Sequence, residues 1–317
     1  TLNPQFLGFQ KGQNLYRKQL TFPEKYRIPW SMRTILILIL FSPVLCFGQE
    51  LNALKKAQLL YENGDYREAI LILEDIIEDD ETSFEAFLLQ GNCFQKEEKF
   101  VAAIQSYEKA ESIKKESALL NANYGAAFLN LNQFEKAKDR LKTALKLDSD
   151  LPDAHYFMGN LDYYNIKPTS ALKHNSKALS LRPEYRDALY MRAAANAEMG
   201  NYDLALGDYE KVLELDPNLE LAKYNMAVIL ITNEEYARGM KLLDEVAPQK
   251  LPNPKDFYYY QGEALYFSGK KEESCELYAK AGEMGDNEAQ DIYTKFCLNG
   301  KERKEEKPEK RVIRMAF

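Results

Sequence analysis

Two histidines and four cysteines are the residues of this chain best suited to catalysis or metal binding. His155 and His174 are expected to face different parts of one folded unit, and neither has a serine or cysteine beside it in a nucleophile motif. No phosphate-binding loop, dinucleotide fingerprint or paired metal motif occurs in the sequence. We therefore expect a protein that is not an enzyme and has no metal site and no cofactor.

The cysteines allow two interpretations. Cys275 and Cys297 both lie near the C-terminal end and are candidates for a disulfide. Buried free thiols are the favoured interpretation for these two residues and for Cys93, because cysteine is often buried as a small apolar side chain. Whether Cys275 and Cys297 pair stays open at this point.

A repeat of 34 residues must position all of these side chains. One series of small residues recurs at this interval, namely Ala57, Gly91, Gly125, Gly159, Ala193 and Ala227. A second series follows each member by twelve residues and comprises Ala69, Ala103, Ala137, Ala171, Ala205 and Gly239. Apolar residues have helical spacing within each repeat, and turns between its two halves are predicted at Gly64, Asn132, Gly200 and Gly269. Each repeat is thus predicted to be a hairpin of two helices that approach closely at the small residues.

This pattern resembles the tetratricopeptide repeat, a 34-residue helix-turn-helix with small residues at positions 8, 20 and 27. The seven matching units, numbered 1 to 7 below, span residues 50–83, 84–117, 118–151, 152–185, 186–219, 220–253 and 255–288. The resemblance implies an all-α fold, a right-handed superhelical α-solenoid whose first helices line a concave groove. Such arrays usually bind protein or peptide segments. We assign residues 49–288 to the repeats and 289–300 to a C-terminal capping helix, with Asp286 as its N-cap.

In the arrangement that the resemblance implies, positions 2, 5, 6, 9, 12 and 13 of each unit face the groove or its rim, and we call them groove positions. The expected partner-binding residues at these positions are Asn92, Asn123, Tyr156, Asn160, Tyr163, Tyr164, Tyr190, Tyr224, Asn225, Tyr259, Glu263 and Tyr266. Tyrosine offers apolar area with a hydroxyl group, and asparagine can hydrogen-bond an extended backbone, so these residues suit a protein or peptide ligand. Alternatively, several of the tyrosines pack between neighbouring first helices.

The carboxylate clamp of chaperone-binding members of this family is not expected. The clamp, as the resemblance implies it, requires cations at three places where this chain has Leu88, Asp153 and Phe157. A terminal carboxylate would therefore lose its charge-assisted hydrogen bonds.

Polar residues replace apolar ones around unit 4, and we call Asp162, Asn175 and Asn196 the polar seam. Asp162 and Asn175 occupy positions 11 and 24 of unit 4, and Asn196 occupies position 11 of unit 5. Because unpaired burial costs free energy, we expect these side chains to bond to each other or to the backbone. A hinge, a ligand pocket and an inward turn of Tyr163 remain alternative interpretations.

The two ends of the chain differ from the repeats. Met32 and Arg33 precede an apolar run, which predicts a signal peptide over residues 32–48, cleavage near Gly48 and an exported protein, periplasmic or secreted. Retention of this segment as an anchor is the alternative. Residues 1–31 are interpreted as upstream or non-native sequence and residues 301–317 as a charged disordered tail.

The charge of the remaining chain narrows the choice of partner. Residues 49–317 contain 36 basic and 48 acidic residues, a net charge of −12, which disfavours nucleic acid as a ligand. We expect no integral membrane span in the mature chain, although a membrane-associated complex fits the predicted export.

Three functions are compatible with these features. The favoured one is a non-catalytic scaffold that binds a protein or peptide segment in its concave, tyrosine-rich groove within a cell-envelope assembly. The first alternative is a structural spacer subunit of an envelope complex that uses its edges or convex face. The second alternative, a glycan or cell-wall binding module, rests only on the aromatic content.

Overall fold

Seven antiparallel helical hairpins follow one another in the computed structural model, which describes residues 43–298 and the side chains of residues 52–298. The first helices are α1 (Pro43–Asn63), α3 (Phe84–Lys96), α5 (Ala118–Asn130), α7 (Pro152–Tyr164), α9 (Arg186–Glu198), α11 (Glu220–Thr232) and α13 (Pro254–Phe267). The second helices are α2 (Tyr66–Asp79), α4 (Phe100–Ile113), α6 (Phe134–Leu147), α8 (Pro168–Leu181), α10 (Tyr202–Leu215), α12 (Tyr236–Leu243) and α14 (Lys271–Glu283). The predicted all-α solenoid is confirmed, and one hairpin falls in each of units 1 to 7.

The N-terminal helix is longer than the sequence pattern predicts. Unit 1 begins at residue 50 in the repeat pattern, but α1 begins at Pro43. Proline is favoured in the first turn of a helix because its missing N–H would have no helical partner there. Residues 1–31, most of the predicted signal peptide over 32–48 and the predicted tail over 301–317 lie outside the described residues.

A left-handed residue at position 15 of every unit turns the chain from the first helix to the second. Glycine supplies this conformation at Gly64, Gly200 and Gly269, and Asn132 supplies it in unit 3, as the turn pattern predicts. The other three units use residues that adopt it at a cost, namely Glu98, Ile166 and Glu234. Ile166 has φ +57° and is β-branched, which makes it the least suited of the seven to this backbone shape.

The small residues bring the two helices of each hairpin into close contact. Gly91 shows how close: an added Cβ would lie 2.3 Å from Cε1 of Tyr107, which crosses from α4. A Cβ added at Gly125 would lie 2.6 Å from Cγ of Leu141. Both series of small residues are buried in the described chain, so the recurring glycines and alanines are required by helix packing.

The first helices form the inner layer of the stack. Each first helix packs against both helices of the preceding unit. Among the described residues, the second helices make no comparably close contact with one another. In a curved stack, the helices on the concave side are closer together than those on the convex side. The first helices contact one another directly, so they line the concave side.

The C-terminal unit is covered by a short additional helix. Helix α15 (Asn287–Ile292) is capped by Asp286, whose carboxylate accepts hydrogen bonds from the backbone N–H groups of Glu288 and Ala289. The predicted N-cap is thus confirmed. A π-helical turn (Tyr293–Leu298) then replaces the regular helix that was expected to continue. Ala289 and Ile292 are buried in the core of the C-terminal units. Over residues 43–298, no helix combines the length and apolar character needed to cross a bilayer.

Candidate functional site

The twelve predicted binding residues divide into a buried and an accessible group. Six are at most 9% exposed, and they are Tyr190, Tyr224, Asn225, Tyr259, Glu263 and Tyr266. Asn92, Asn123, Tyr156, Asn160 and Tyr163 are half-buried, and Tyr164 is 52% exposed. The alternative in which tyrosines pack between neighbouring helices therefore describes units 5 to 7, whereas unit 4 presents aromatic and amide groups at the surface. The binding role of all twelve stays a prediction.

The buried members of the set hold successive units together. Asn225 donates from Nδ2 to the hydroxyl groups of Tyr190, at 2.7 Å, and Tyr209, at 3.0 Å, which links α11 to unit 5. Tyr259 donates to Oε1 of Glu288 at 3.0 Å, which ties α13 to the capping helix. Satisfied polar groups of this kind stabilise the stack, and removing one partner would leave the other buried and unpaired.

An amide pair spans units 2 and 3 at the groove positions. Asn123 donates from Nδ2 to Oδ1 of Asn92 at 2.8 Å, and the same oxygen accepts a hydrogen bond of 2.8 Å from the hydroxyl of Tyr107. The contact holds both amides in fixed orientations on adjacent first helices. Their remaining hydrogen-bonding capacity suits an extended backbone.

Helix α7 carries the accessible aromatic cluster, which we define as Tyr156, Asn160, Tyr163 and Tyr164. Tyr163 donates to Glu198 of α9, and Tyr164 stacks on Phe134 with ring centroids 6.1 Å apart. Burial raises the pKa of Tyr156, and the nearby Asp187 carboxylate adds to the increase, so this phenol stays protonated. The cluster offers neutral hydroxyl and amide groups on a rigid helix.

Ile166 extends the apolar surface beside this cluster. It is 82% exposed and follows Tyr164 at the end of α7, in the strained left-handed turn. Strain and apolar exposure at one place are features that binding sites frequently share.

The two histidines meet, contrary to the expectation that they face different parts of the unit. His155 Nδ1 and His174 Nδ1 lie 3.2 Å apart, and His155 Nε2 lies 2.9 Å from the carbonyl oxygen of Ser149. The antiparallel path of α7 and α8 brings position 4 opposite position 23, which the helical spacing within either helix does not reveal. Burial is the main cause that lowers the pKa of His174, and the opposing effect of Asp162 is smaller. The described residues contain no group of three or more metal-ligand side chains, so the pair is not part of a larger metal cluster there.

The polar seam is satisfied only in part. Asp162 accepts a hydrogen bond of 2.5 Å from Ser170, and Oδ1 of Asn196 accepts one of 3.3 Å from Asn201. Asn175 donates from Nδ2 to the carbonyl oxygen of Ala171, but its Oδ1 is buried without a partner among the described residues. The expected bond to the backbone is thus confirmed for Asn175, whereas Asp162 and Asn196 bond to side chains outside the seam.

Cys275 and Cys297 form a disulfide, so the favoured interpretation of two free thiols is wrong. The chain folds back after α14, and the π-helical turn brings the two Cα atoms to 5.8 Å, a separation that allows a bridge. Sequence spacing alone does not predict this because the reversal depends on how the capping helix docks. Cys93 is a buried thiol, and burial raises its pKa to about 12.

Sequence reasoning missed the role of position 24, where tyrosines cross from the second helix toward the groove positions. Tyr107, Tyr209 and Tyr278 are fully buried, and each makes a hydrogen bond through its hydroxyl to a groove position. The signal was available, since the same self-comparison that finds the small residues shows leucine or tyrosine at this position in every unit except unit 4.

Comparison with known families agrees with the geometry. Three tetratricopeptide repeat models match residues 54–118, 94–161 and 187–219. The chain is a tetratricopeptide repeat protein. Curated relatives of this repeat protein include Hsp70-Hsp90 organizing protein 1 of Glycine max, 27% identical over 46% of the chain and 24% of the relative, and human sperm-associated antigen 1, 27% identical over 53% and 14%. The match thus spans about a quarter or less of these relatives.

Solved structures show the same repeat architecture. The Pseudomonas aeruginosa pilF structure aligns with a TM-score of 0.58 and 18% identity over 69% of this chain and 98% of that one. A tetratricopeptide repeat protein from Parabacteroides merdae aligns with a TM-score of 0.50 and 19% identity over 77% and 97%. At this identity the likeness concerns the fold.

Proposed function

We propose that this tetratricopeptide repeat protein is a non-catalytic scaffold that binds a protein or peptide segment in the groove formed by its first helices. The observation that carries the proposal is the aromatic cluster on α7, where Tyr164 is 52% exposed beside half-buried Tyr156 and Tyr163. Partly exposed tyrosines on a rigid concave surface supply binding area at a low cost in side-chain entropy. Relatives named as organizing proteins for Hsp70 and Hsp90 support a role in assembly.

The proposal includes export and a place in a cell-envelope assembly. The predicted signal peptide over 32–48 and the disulfide between Cys275 and Cys297 support it, because disulfides persist in oxidising compartments. Sequencing the N-terminus of the protein expressed from Met32 tests this part. A new start near Gln49 is expected, and uncleaved protein recovered from the cytoplasm would contradict it.

One observation supports the alternative function, a structural spacer. Leu71, Val101 and Leu204 on the second helices are between 60% and 63% exposed, so the outer layer also offers apolar side chains. A partner that binds the outer layer would not touch the α7 cluster.

A pair of matched substitutions separates the two functions. Tyr164→Ser removes an exposed aromatic ring from the groove, and Leu204→Ser removes a similarly exposed apolar side chain from α10. Capture of partners from envelope extract is compared for the wild-type array and both variants, with circular dichroism as the check on folding. The groove function predicts loss with Tyr164→Ser alone, and loss with Leu204→Ser alone favours the spacer. Both positions are accessible, so neither substitution opens a cavity, as alanine at buried Tyr190 or Tyr224 would.

A further inference from the structure

In units 2 and 7, the residue at position 24 of the second helix hydrogen-bonds to a groove position on the first helix. Unit 4 lacks this bond. In unit 2 the hydroxyl of Tyr107, at position 24, donates to Oδ1 of Asn92, at position 9. In unit 7 the hydroxyl of Tyr278 donates to Oε1 of Glu263 at 2.6 Å, and these residues hold the same two positions. A phenol on the second helix thus supplies the hydrogen that a groove-position acceptor needs.

In unit 4 both of these positions hold asparagine, and both amide oxygens lack a donor. Asn160 is at position 9 and Asn175 is at position 24. Among the described residues, their Oδ1 atoms are the two buried side-chain atoms that have no hydrogen-bond partner. Asn175 is 0% exposed, and a buried acceptor without a donor destabilises the folded state.

Asparagine at position 24 is also shorter than the tyrosine that units 2, 5 and 7 have there. The Asn175 amide packs on Gly159, where an added Cβ would lie 2.5 Å from Nδ2, as the Tyr107 ring packs on Gly91. A tyrosine side chain continues beyond this contact by the rest of its ring and its hydroxyl group, whereas asparagine ends there. The two oxygens therefore require a donor that comes from elsewhere.

The charge of the neighbouring groove favours a cation. The groove positions of units 4 to 7 hold five acidic residues, namely Asp153, Asp187, Glu198, Asp256 and Glu263, and none of these positions holds lysine or arginine. Arg182 near the end of unit 4 pairs with Asp153, and Arg186 at the start of unit 5 pairs with Asp187, which reduces this charge in part.

We propose that unit 4 contains a subsite for the ammonium group of a lysine in the segment that the groove binds, and this inference rests on the proposed function. The ammonium group carries three hydrogens and no acceptor, so it can donate to Oδ1 of Asn160 and Oδ1 of Asn175 together. Its slender stem can pass between groove side chains, whereas a guanidinium group is planar and wider. The bound segment is therefore basic, opposite in charge to the ligand of a carboxylate clamp.

Selection from a random dodecapeptide library displayed on phage tests the subsite directly, because the library supplies lysine in every sequence context. The wild-type array is compared with Asn175→Tyr, which places at position 24 the residue of units 2, 5 and 7 and supplies a hydroxyl to Asn160. Asn175→Leu, the residue type of units 1, 3 and 6, is the second filling variant. Asn196→Leu is the matched control, because it removes a buried amide whose oxygen already has a partner.

We expect lysine to be enriched in peptides selected by the wild type and by Asn196→Leu but not by the two variants of Asn175. In fluorescence anisotropy, replacing that lysine by norleucine should weaken binding to the wild type about tenfold, the equivalent of one charge-assisted hydrogen bond, and leave binding to Asn175→Tyr within about twofold. Replacement by arginine should also weaken binding. Asn175→Tyr should melt at the same or a higher temperature than the wild type.

Other outcomes overturn the subsite and separate it from the groove function. If all four proteins select the same peptides with equal lysine content, and Tyr164→Ser abolishes their binding, the groove function stands and the two asparagine oxygens of unit 4 do not bind a lysine. Preference for arginine or for norleucine likewise overturns the ammonium subsite. If no peptide is enriched, or if the enriched peptides bind Tyr164→Ser normally, the groove function fails together with the subsite.

Discussion

Single residues in unit 4 depart most from the repeat pattern, and several departures lie around α7. Ile166 adopts a left-handed conformation that glycine or asparagine adopts in four other units, and His155 contacts His174 where the helical spacing predicts separation. Asn175 replaces the leucine or tyrosine of the other units. The sequence identifies each of these residues as unusual, but their contacts depend on how two helices cross.

Relief of the strain at Ile166 should stabilise the array. Ile166→Gly is expected to increase the free energy of unfolding by about 1 kcal/mol, because the left-handed conformation costs an L-residue roughly 1–2 kcal/mol and glycine adopts it freely. Urea denaturation followed by circular dichroism measures the change. Ile166→Ala is the control, since it removes the 82% exposed side chain but keeps the backbone penalty. Equal stabilisation by both variants would mean that the exposed side chain, and not the backbone, is responsible.

The histidine contact should make unit 4 sensitive to mild acid. The folded state lowers the pKa of His174 from its ordinary value of 6.5 through burial and the nearby His155 and Lys173, while Asp162 opposes the shift. The unfolded chain therefore binds a proton more readily, and stability should fall as the pH drops below about 6.5. Hydrogen exchange of α7 and α8 at pH 7.5 and pH 5.5 measures the effect. His174→Gln should weaken the pH dependence, and an unchanged profile would contradict this assignment.

At the level of the elements, the small residues and turn residues were sufficient to predict every hairpin. Their signal is strong because close helix packing permits little besides glycine or alanine, as Gly91 against Tyr107 illustrates. The accessible surface was harder to predict. Tyr156, Tyr190 and Tyr224 share one groove position, yet Tyr156 is half-buried and the others are buried. Their burial depends on contacts with the next unit, such as the hydrogen bond between Tyr190 and Asn225, and the position within a repeat does not reveal these contacts.

Two glycine substitutions test the packing of the elements. Gly91→Ala is expected to destabilise the array by about 1–3 kcal/mol, because the added methyl group would overlap the fully buried Tyr107 ring. Gly207→Ala on α10 is the matched control. Its added Cβ meets no atom within 4 Å, so the higher helix propensity of alanine should increase stability by up to about 1 kcal/mol. Thermal unfolding of both variants should therefore shift in opposite directions, and a shift in the same direction would contradict the packing argument.

For the whole molecule, the disulfide holds the capping helix on the last unit. Cys275 and Cys297 are separated by 22 residues, and closing such a loop contributes about 3 kcal/mol in the chain-entropy model. Cys297→Ser should speed hydrogen exchange in α14 and α15 and leave α3 to α6 unchanged. Reduction of the wild type should reproduce the effect, and Cys93→Ser serves as the control for loss of a thiol. Protection that is equal in reduced and oxidised protein would mean that the capping helix docks without the bridge.

The stacking of each unit on its immediate neighbours also has a kinetic consequence. In the described chain, the principal helix contacts join residues of the same unit or of adjacent units, so the average sequence separation between contacting residues is small. Proteins of low contact order fold quickly, because each contact closes only a short loop. A nascent array can therefore begin to fold while its later units are still being synthesised, and a truncated array can retain its early units. Unfolding can likewise proceed unit by unit from an end, so passage of the chain through a narrow channel, which the proposed export requires, would meet a series of small barriers.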